Sequence, residues 1–351
     1  MTRTDVAIIG GGIIGCLIAR ELITRAPGIS ITVLDRDLVG SGASRRSAGL
    51  HFPRGATARV REMTALSQNY YERLAHDNPA LPIYPVEMSV LTTTGVGNYL
   101  SCANAIRVSA LPGDLAPVPE GTGVWNVEGG QYADVGALAV ALAADLRAQV
   151  HFREATAVSA IDPSDNDVLL RLGNGESLCA ATVILAPGPW VHAPAWQALT
   201  AQLDVRVKLV AALHIDKAPT HRDRAIVFQD IDAFLLPLAH RGHWLFSFTS
   251  QQWNVQPDHL LGGMTDTCMK EGRAALDAVA PHLAAAAAGG RVFCDAYSHH
   301  REPLIQSLDD NARLVFAGAA NGSGYRLAPA IAAETVNLLL SDRDKGPVDD
   351  H

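Results

Sequence analysis

Gly10-Gly11-Gly12-Ile13-Ile14-Gly15 breaks an apolar run in a way that few folds can use. Asp5 to Ile9 before it reads as a buried strand, and Ile13 to Arg25 after it as a helix ended by Pro27-Gly28. Ser30 to Leu34 is a second strand, and Asp35 follows it 20 residues past Gly15. Gly10 permits the tight turn, Gly12 lets a pyrophosphate approach the backbone, and Gly15 lets the helix pack on the strand. The helix N-terminus at Ile13 and Ile14 offers free N–H groups and a positive dipole end to phosphates. Asp35 is spaced to accept hydrogen bonds from unphosphorylated ribose hydroxyls. The order predicts a βαβ dinucleotide-binding unit.

The 351 residues predict about two domains. Against 28 basic residues stand 36 acidic ones, a net charge of −8 that argues against nucleic acid as a partner. Charged residues are 18% and hydrophobic ones 48%, the balance expected of a covered sheet or an enclosed large cofactor. Cys16, Cys102, Cys179, Cys268 and Cys294 share no CxxC spacing and are expected to be reduced thiols of a cytoplasmic protein. The apolar run from Val6 to Ala19 is too short to span a bilayer and carries four glycines, so no membrane partner is expected.

Further along, Val168 to Leu172, a Gly-Asn-Gly turn and Thr182 to Ala186 predict a hairpin, and Gly136 to Arg147 a helix. Val205 to Phe248 alternates β-branched and aromatic segments with turns and predicts a separate sheet; Gly272 to Ala288 predicts a helix. Leu314 to Ala317 is an apolar strand that leads through a Gly318–Gly324 turn into a helix from about Pro329 to Leu340. Pro329 suits a first helical turn, and that helix N-terminus could stabilise negative charge on a ring docked against it. Between the two ends, Ala186-Pro187-Gly188-Pro189-Trp190 breaks a strand with bare backbone, as a close approach requires.

The glycine turn with Asp35, then Gly40-Ser41-Gly42-Ala43-Ser44, the Ala186–Trp190 exit and Gly318–Ala330 occur in one colinear order. In that order the chain resembles the FAD-dependent D-amino-acid oxidase family, in the branch holding glycine oxidase and sarcosine oxidase. The resemblance runs to about Leu340. It implies an α/β (α+β) fold: a glutathione-reductase-type, Rossmann-like FAD domain with an interleaved antiparallel-sheet substrate domain. The expected FAD domain is 1–78, 131–204 and 291–345, and the substrate domain 79–130 and 205–290. Implied FAD contacts are Gly10, Gly12, Ile13, Ile14 and Gly15, with Asp35 and Arg36 at the ribose. Ser41, Ser44, Arg45, Arg46, Ala48 and Gly49 form the loop over the isoalloxazine. Val158, Ala186, Gly188 and Trp190 complete the nucleotide side, and Gly322, Ser323, Gly324, Tyr325, Arg326 and Leu327 the ring side.

The same resemblance places Cys294 on the cysteine that tethers flavin in the sarcosine oxidases, against its plain reading as a buried thiol. Arg326 falls on a basic residue that pairs with substrate carboxylate; its plain reading is a surface ion pair. Arg45 or Arg46 could stabilise an anionic reduced flavin. Asp35 stands where the family has Glu, and Cys294-Asp295-Ala296-Tyr297-Ser298 where it has Arg-Pro. Ser323 replaces a flavin-proximal histidine, and no lysine lies between Arg241 and Met269.

His51, Tyr325 and Arg326 are the candidate catalytic residues, His51 because a neutral imidazole near a flavin can accept an amine proton. His240 and His243 resemble a ligand pair but lack an acidic or thiol partner at metal spacing, so no metal is expected. Six of the 20 aromatics fall between Phe228 and Trp253. Trp244, Phe246 and Phe248 share one strand face, which is either a substrate-pocket wall over the flavin or a core face. The expected activity is oxidation of a C–N bond in an amine, amino acid or imino acid by hydride transfer to FAD, with O2 favoured as acceptor. The alternatives are a dehydrogenase using another acceptor, a nicotinamide enzyme, which would not explain the C-terminal glycine turn, and a non-catalytic flavoprotein.

Overall fold

The computed structural model describes residues 2–97, 99–100, 105–111 and 118–343. Five strands form a parallel core, in the spatial order Val150–Arg153, Ile31–Leu34, Thr2–Ile9, Ser177–Leu185 and Leu314–Gly318. Ala7, Ile8, Val183 and Ile184 are fully buried, because helices and loops cover both faces of the central strands, whose C-terminal halves, Val6–Ile9 and Val183–Leu185, are continuous apolar runs. The first helix, Ile13–Arg25, packs on the last, Gly324–Arg343, and on Val135–Leu146, so both ends of the chain build one unit.

A second sheet runs Ala287–Ser298, Val205–Ile215, His243–Trp253, Ala233–Leu238, Ala225–Phe228, Met88–Thr92, Gly123–Val127 and Ala105–Val108. All its pairings are antiparallel except that of Ala225–Phe228 with Met88–Thr92. The helix Asp266–Val279, capped by Thr265 Oγ1 accepting from Cys268 N, covers one face of this sheet. Among the described residues no helix is long and apolar enough to cross a membrane.

Three local expectations differ from what is observed. The helix expected to reach Ala288 ends in the short helix Pro281–Ala284, and Ala287 already pairs with Ile215. Helix propensity in that alanine run yields to a vacant sheet edge. The strand it starts stays in the second sheet through Ser298, so the expected domain boundary at 291 falls inside a strand. The last helix starts at Gly324, not near Pro329, which lies inside it. Pro329 lacks the N–H for the Tyr325 carbonyl, and the Tyr71 hydroxyl donates to that carbonyl instead. Residues 1, 344 and 345 of the expected FAD domain, and Cys102, lie outside the described residues.

Trp244 and Phe246 are fully buried and Phe248 nearly so, packed with Leu213, Leu235 and Leu276 under the Asp266–Val279 helix. The fit is tight enough that a Cβ on Gly272 would come within 2.6 Å of Phe248. They share one face as alternation requires, but it is the helix-covered face, which corrects their assignment to a pocket wall. Ser247 and Thr249, half-buried, occupy the other face with Lys208, Asp295 and Tyr297.

Candidate active site

At the nucleotide end, two glycines sit where no side chain fits. A Cβ on Gly10, whose φ is 112°, would lie 2.2 Å from the Ala186 carbonyl oxygen, and one on Gly15 1.9 Å from that of Gly10. The Ala186-Pro187 exit therefore closes onto the glycine turn, as its bare backbone required. Asp35 Oδ2 accepts from Gly11 N and its Oδ1 from Asp37 N, both at 2.8 Å, which aims the carboxylate across the turn. Burial raises its pKa from the ordinary carboxylate value, and the two backbone donors oppose this.

Gly12 caps the first helix with no side chain of its own, and Ile14 stands half-buried beside it. The Ile13 N–H, expected to serve a phosphate, donates instead to Ser44 Oγ at 3.0 Å. That bond pins the 40–49 loop over the helix N-terminus. Ser41 turns to the Leu38 carbonyl, while Arg45 and Arg46 are exposed. Gly49, at φ 68°, passes so close to Ala133 that a Cβ would lie 2.1 Å from its carbonyl oxygen, with Ala48 half-buried before it.

The Arg36 guanidinium lies 4.3 Å over the Trp190 ring, and both donate to Asp258 Oδ1, at 2.5 and 2.9 Å. Gly188 precedes Trp190 at φ 56°. Backbone bonds from Ala155 and Thr156 to the 35–37 carbonyls bring the strand that starts at Val158 to the same rim.

At the ring end, the turn into the last helix holds Ala319, Asn321 and Gly322 at φ 52°, 54° and 74°. Asn321 N donates to the Ala296 carbonyl, and a Cβ on Gly322 would lie 2.9 Å from the Tyr297 hydroxyl. The turn thus rests on the end of the Ala287–Ser298 strand. Gly324 begins the helix, Leu327 is buried, and Ser323 Oγ accepts from Arg326 Nη2. Tyr325 Oη and Arg326 Nε are buried with no hydrogen-bond partner among the described residues. Burial and then Arg54 lower the Arg326 guanidinium to about 9.

His51 is fully buried, edge-on to Tyr71 and Tyr325, and among the described residues neither ring nitrogen has a partner at good hydrogen-bond geometry, although Gln68 and the Arg326 backbone lie near it. Burial, then the Arg326 charge, lowers its pKa to about 3. Burial and the neighbouring Arg326 charge thus weigh against the protonated imidazole that a role as the amine's proton acceptor would require. Cys294 is likewise corrected. It turns into the core with Val205, Val207 and Phe316, while Asp295 and Tyr297 face the cleft, and burial pushes its thiol up to about 12.

Four further residues join Arg326 here that sequence reasoning missed. Arg54 Nη2 lies 3.7 Å from Asp232 Oδ1, and its guanidinium lies 4.8 Å over the Tyr99 ring. Both Arg54 and Arg326 lie 5.7 Å from the Phe52 ring centre. Asp232 tips the hairpin between Ala225–Phe228 and Ala233–Leu238 at φ 48°, and Thr249 Oγ1 donates to its Oδ2 at 2.7 Å. Its side chain is largely exposed, and Arg54, Thr249, Lys208 and Arg326 hold it below the usual carboxylate range. Lys208 Nζ lies 4.8 Å over Trp253 and 5.5 Å over Tyr297, and burial lowers its pKa. Opposite Lys208, Asp295 accepts from Ala296 N, and burial raises its carboxyl to about 6. Arg54 stands three residues past His51, a visible signal; Lys208 and Asp232 meet it only through sheet pairing.

His240 stacks on Tyr84, and among the described residues no cluster of His, Cys, Asp or Glu could hold a metal. Glycine cradles, a carboxylate at ribose spacing and orphaned polar atoms at the last helix's N-terminus fit a dinucleotide that carries a ring system.

A family model described as DAO, FAD dependent oxidoreductase, matches residues 5–338. Glycine oxidase from Geobacillus kaustophilus superposes with a TM-score of 0.80 at 19% identity, over 97% of this chain and 95% of that one. L-alpha-glycerophosphate oxidase from Mycoplasma pneumoniae, with FAD bound, gives 0.80 at 17%, over 97% and 95%. L-proline dehydrogenase from P. horikoshii gives 0.78 at 17%, over 99% and 96%. At such identities the shared property is the fold. No curated protein matches the chain in sequence.

Proposed function

The chain belongs to the FAD dependent oxidoreductase family, and from that premise we propose that it oxidises the C–N bond of an anionic amine, amino acid or imino acid. The observation that carries this reading is Arg326: a buried guanidinium with an open Nε, three residues into the helix that meets the ring end of the cleft. A fixed fork there can take a substrate carboxylate, with Arg54 beside it across Phe52. Amino-acid and imino-acid chemistry in the names of structural neighbours, glycine oxidase and proline dehydrogenase, supports the same class.

Gly10, Gly12, Gly15 and Asp35 would hold FAD, which would supply the hydride acceptor. The protein's own part is placement. Arg326 and Arg54 anchor the carboxylate, which fixes the adjacent C–N bond over the cleft and converts a collision into an oriented step. Asp232 can accept an N–H from that nitrogen without taking its proton, since its neighbours keep it ionised. Two of the neighbours are named as oxidases, which favours O2 as acceptor, and buried free Cys16, Cys179, Cys268 and Cys294 suit a reducing, cytoplasmic setting.

The test is anaerobic bleaching of the yellow protein with N-methyl, cyclic and aromatic amino acids, then admission of air. Bleaching by an amino or imino acid, and recovery with peroxide, are expected. A flavin that no amine bleaches overturns the activity; one that bleaches but recovers only with a quinone overturns the acceptor.

A further inference from the structure

We propose that the substrate carries a second negative group, received by Lys208, so that the cleft selects amino- or imino-dicarboxylates over monocarboxylates. This rests on the amine-oxidising reading of the same cleft.

Three cations converge on one carboxylate. Arg54 lies 3.7 Å from Asp232, and Lys208 and Arg326 are both close enough to hold that carboxyl down. Among the described residues neither Lys208 nor Arg326 has a carboxylate within 4 Å, although each is only 8% exposed. Asp232 is itself well exposed and Asp295 lies across the strand from Lys208, so the groups left without a close carboxylate partner are the Lys208 ammonium and the Arg326 guanidinium. Buried cations are normally paired, because desolvation is otherwise uncompensated. Arg326 and Arg54 account for one carboxylate. Lys208 accounts for another group.

The surroundings of Lys208 fit reception of a ligand better than a structural role. Its ammonium lies over the Trp253 and Tyr297 rings, which attract the charge but accept none of its three N–H bonds conventionally. Its cross-strand neighbour Asp295 makes no ion pair with it and instead accepts from Ala296 N. Trp253 is 36% exposed and carries Arg206 on its ring as well, so this end of the cleft opens outward under a positive rim. Asp232 lies beside Arg54, and the charges of Lys208 and Arg326 reach it from further off. An anion is repelled at its carboxylate and an N–H is welcome there. A guanidinium pair with a carboxylate beside it, and a separate ammonium over Tyr297, complement a carboxylate, an amine and a second carboxylate.

The FAD-loaded protein is titrated with two ligands that cannot be oxidised, glutarate and butyrate, following perturbation of the flavin spectrum. Glutarate should bind at least about tenfold tighter. Lys208→Met should abolish that preference and Lys208→Arg should retain it. With a reactive dicarboxylic amino acid, Lys208→Met should raise KM by more than it lowers kcat. Equal binding of the two acids overturns the proposal, as does a Lys208→Met variant that keeps the preference but reoxidises its flavin slowly. Glutarate preference in a protein that no amine bleaches would sink the catalytic reading and leave this one standing.

Discussion

The Tyr71 hydroxyl donates to the Tyr325 carbonyl at 2.7 Å, filling the acceptor that Pro329 leaves empty four residues further along the helix. The rings of Tyr71 and Tyr325 also stack at 4.6 Å. One tyrosine therefore compensates a helix-breaking residue and holds the turn that carries Arg326. Tyr71→Phe should destabilise the protein by about 1–2 kcal/mol, because it leaves a buried carbonyl unpaired. The pairing makes a sharper claim in a double-mutant cycle. In a Pro329→Ala background the helix supplies its own N–H, and the cost of Tyr71→Phe should shrink. Equal costs in both backgrounds, by denaturant unfolding, would refute the compensation.

Gly15→Ala should yield colourless protein. Its methyl would lie 1.9 Å from the Gly10 carbonyl oxygen, a backbone atom that cannot step aside without opening the phosphate turn. Gly28→Ala is the control: at φ 89° it is strained, by about 1 kcal/mol, but nothing lies within 4 Å of its Cβ. It should remain yellow. The ratio of flavin to protein absorbance separates the two, and a yellow Gly15→Ala protein would refute the close-approach argument.

How much of this was legible follows the range of each interaction. The glycine turn and Asp35 are local, and the helix Ile13–Arg25 has the expected bounds. Trp244, Phe246 and Phe248 show where alternation stops helping. It puts them on one face, but which face the Asp266–Val279 helix covers is decided by tertiary packing. Cys294 fails for the same reason, since one position along the strand exchanges core for cleft. The Arg54, Asp232 and Lys208 cluster joins a loop, a hairpin tip and a strand distant in sequence, and no spacing rule connects them.

Arg326→Met should keep FAD and lose most substrate turnover, with kcat/KM falling at least about a hundredfold, as expected when a buried charge partner is removed. Unchanged flavin content with reduced bleaching rates across all carboxylated amines is the expected pattern. Arg54→Met should act in the same direction but less severely, because Arg54 already has Asp232 at 3.7 Å. Loss of FAD from Arg326→Met would instead make the guanidinium a cofactor ligand.

His51 and Asp295 should pull stability in opposite directions as the medium is acidified. His51 is held near pKa 3 when folded, against 6.5 when free, so between those values only the unfolded chain takes up its proton. Its contribution is present above about pH 6.5 and is lost as pH falls. From pH 7 to 4.5 that loss is on the order of 2–3 kcal/mol by linkage. Asp295 is raised to about 6 from 3.8, so between those values the folded chain binds the extra proton. Its burial is therefore least unfavourable in acid and costs stability as pH rises through 6. Comparing variants isolates each effect. Over that range His51→Leu should lose less stability than the parent, whereas Asp295→Asn should lose more and should be the more stable protein at pH 7. Denaturant unfolding of the yellow proteins at both pH values measures this. Parallel losses in parent and His51→Leu would mean that His51 takes up its proton without unfolding.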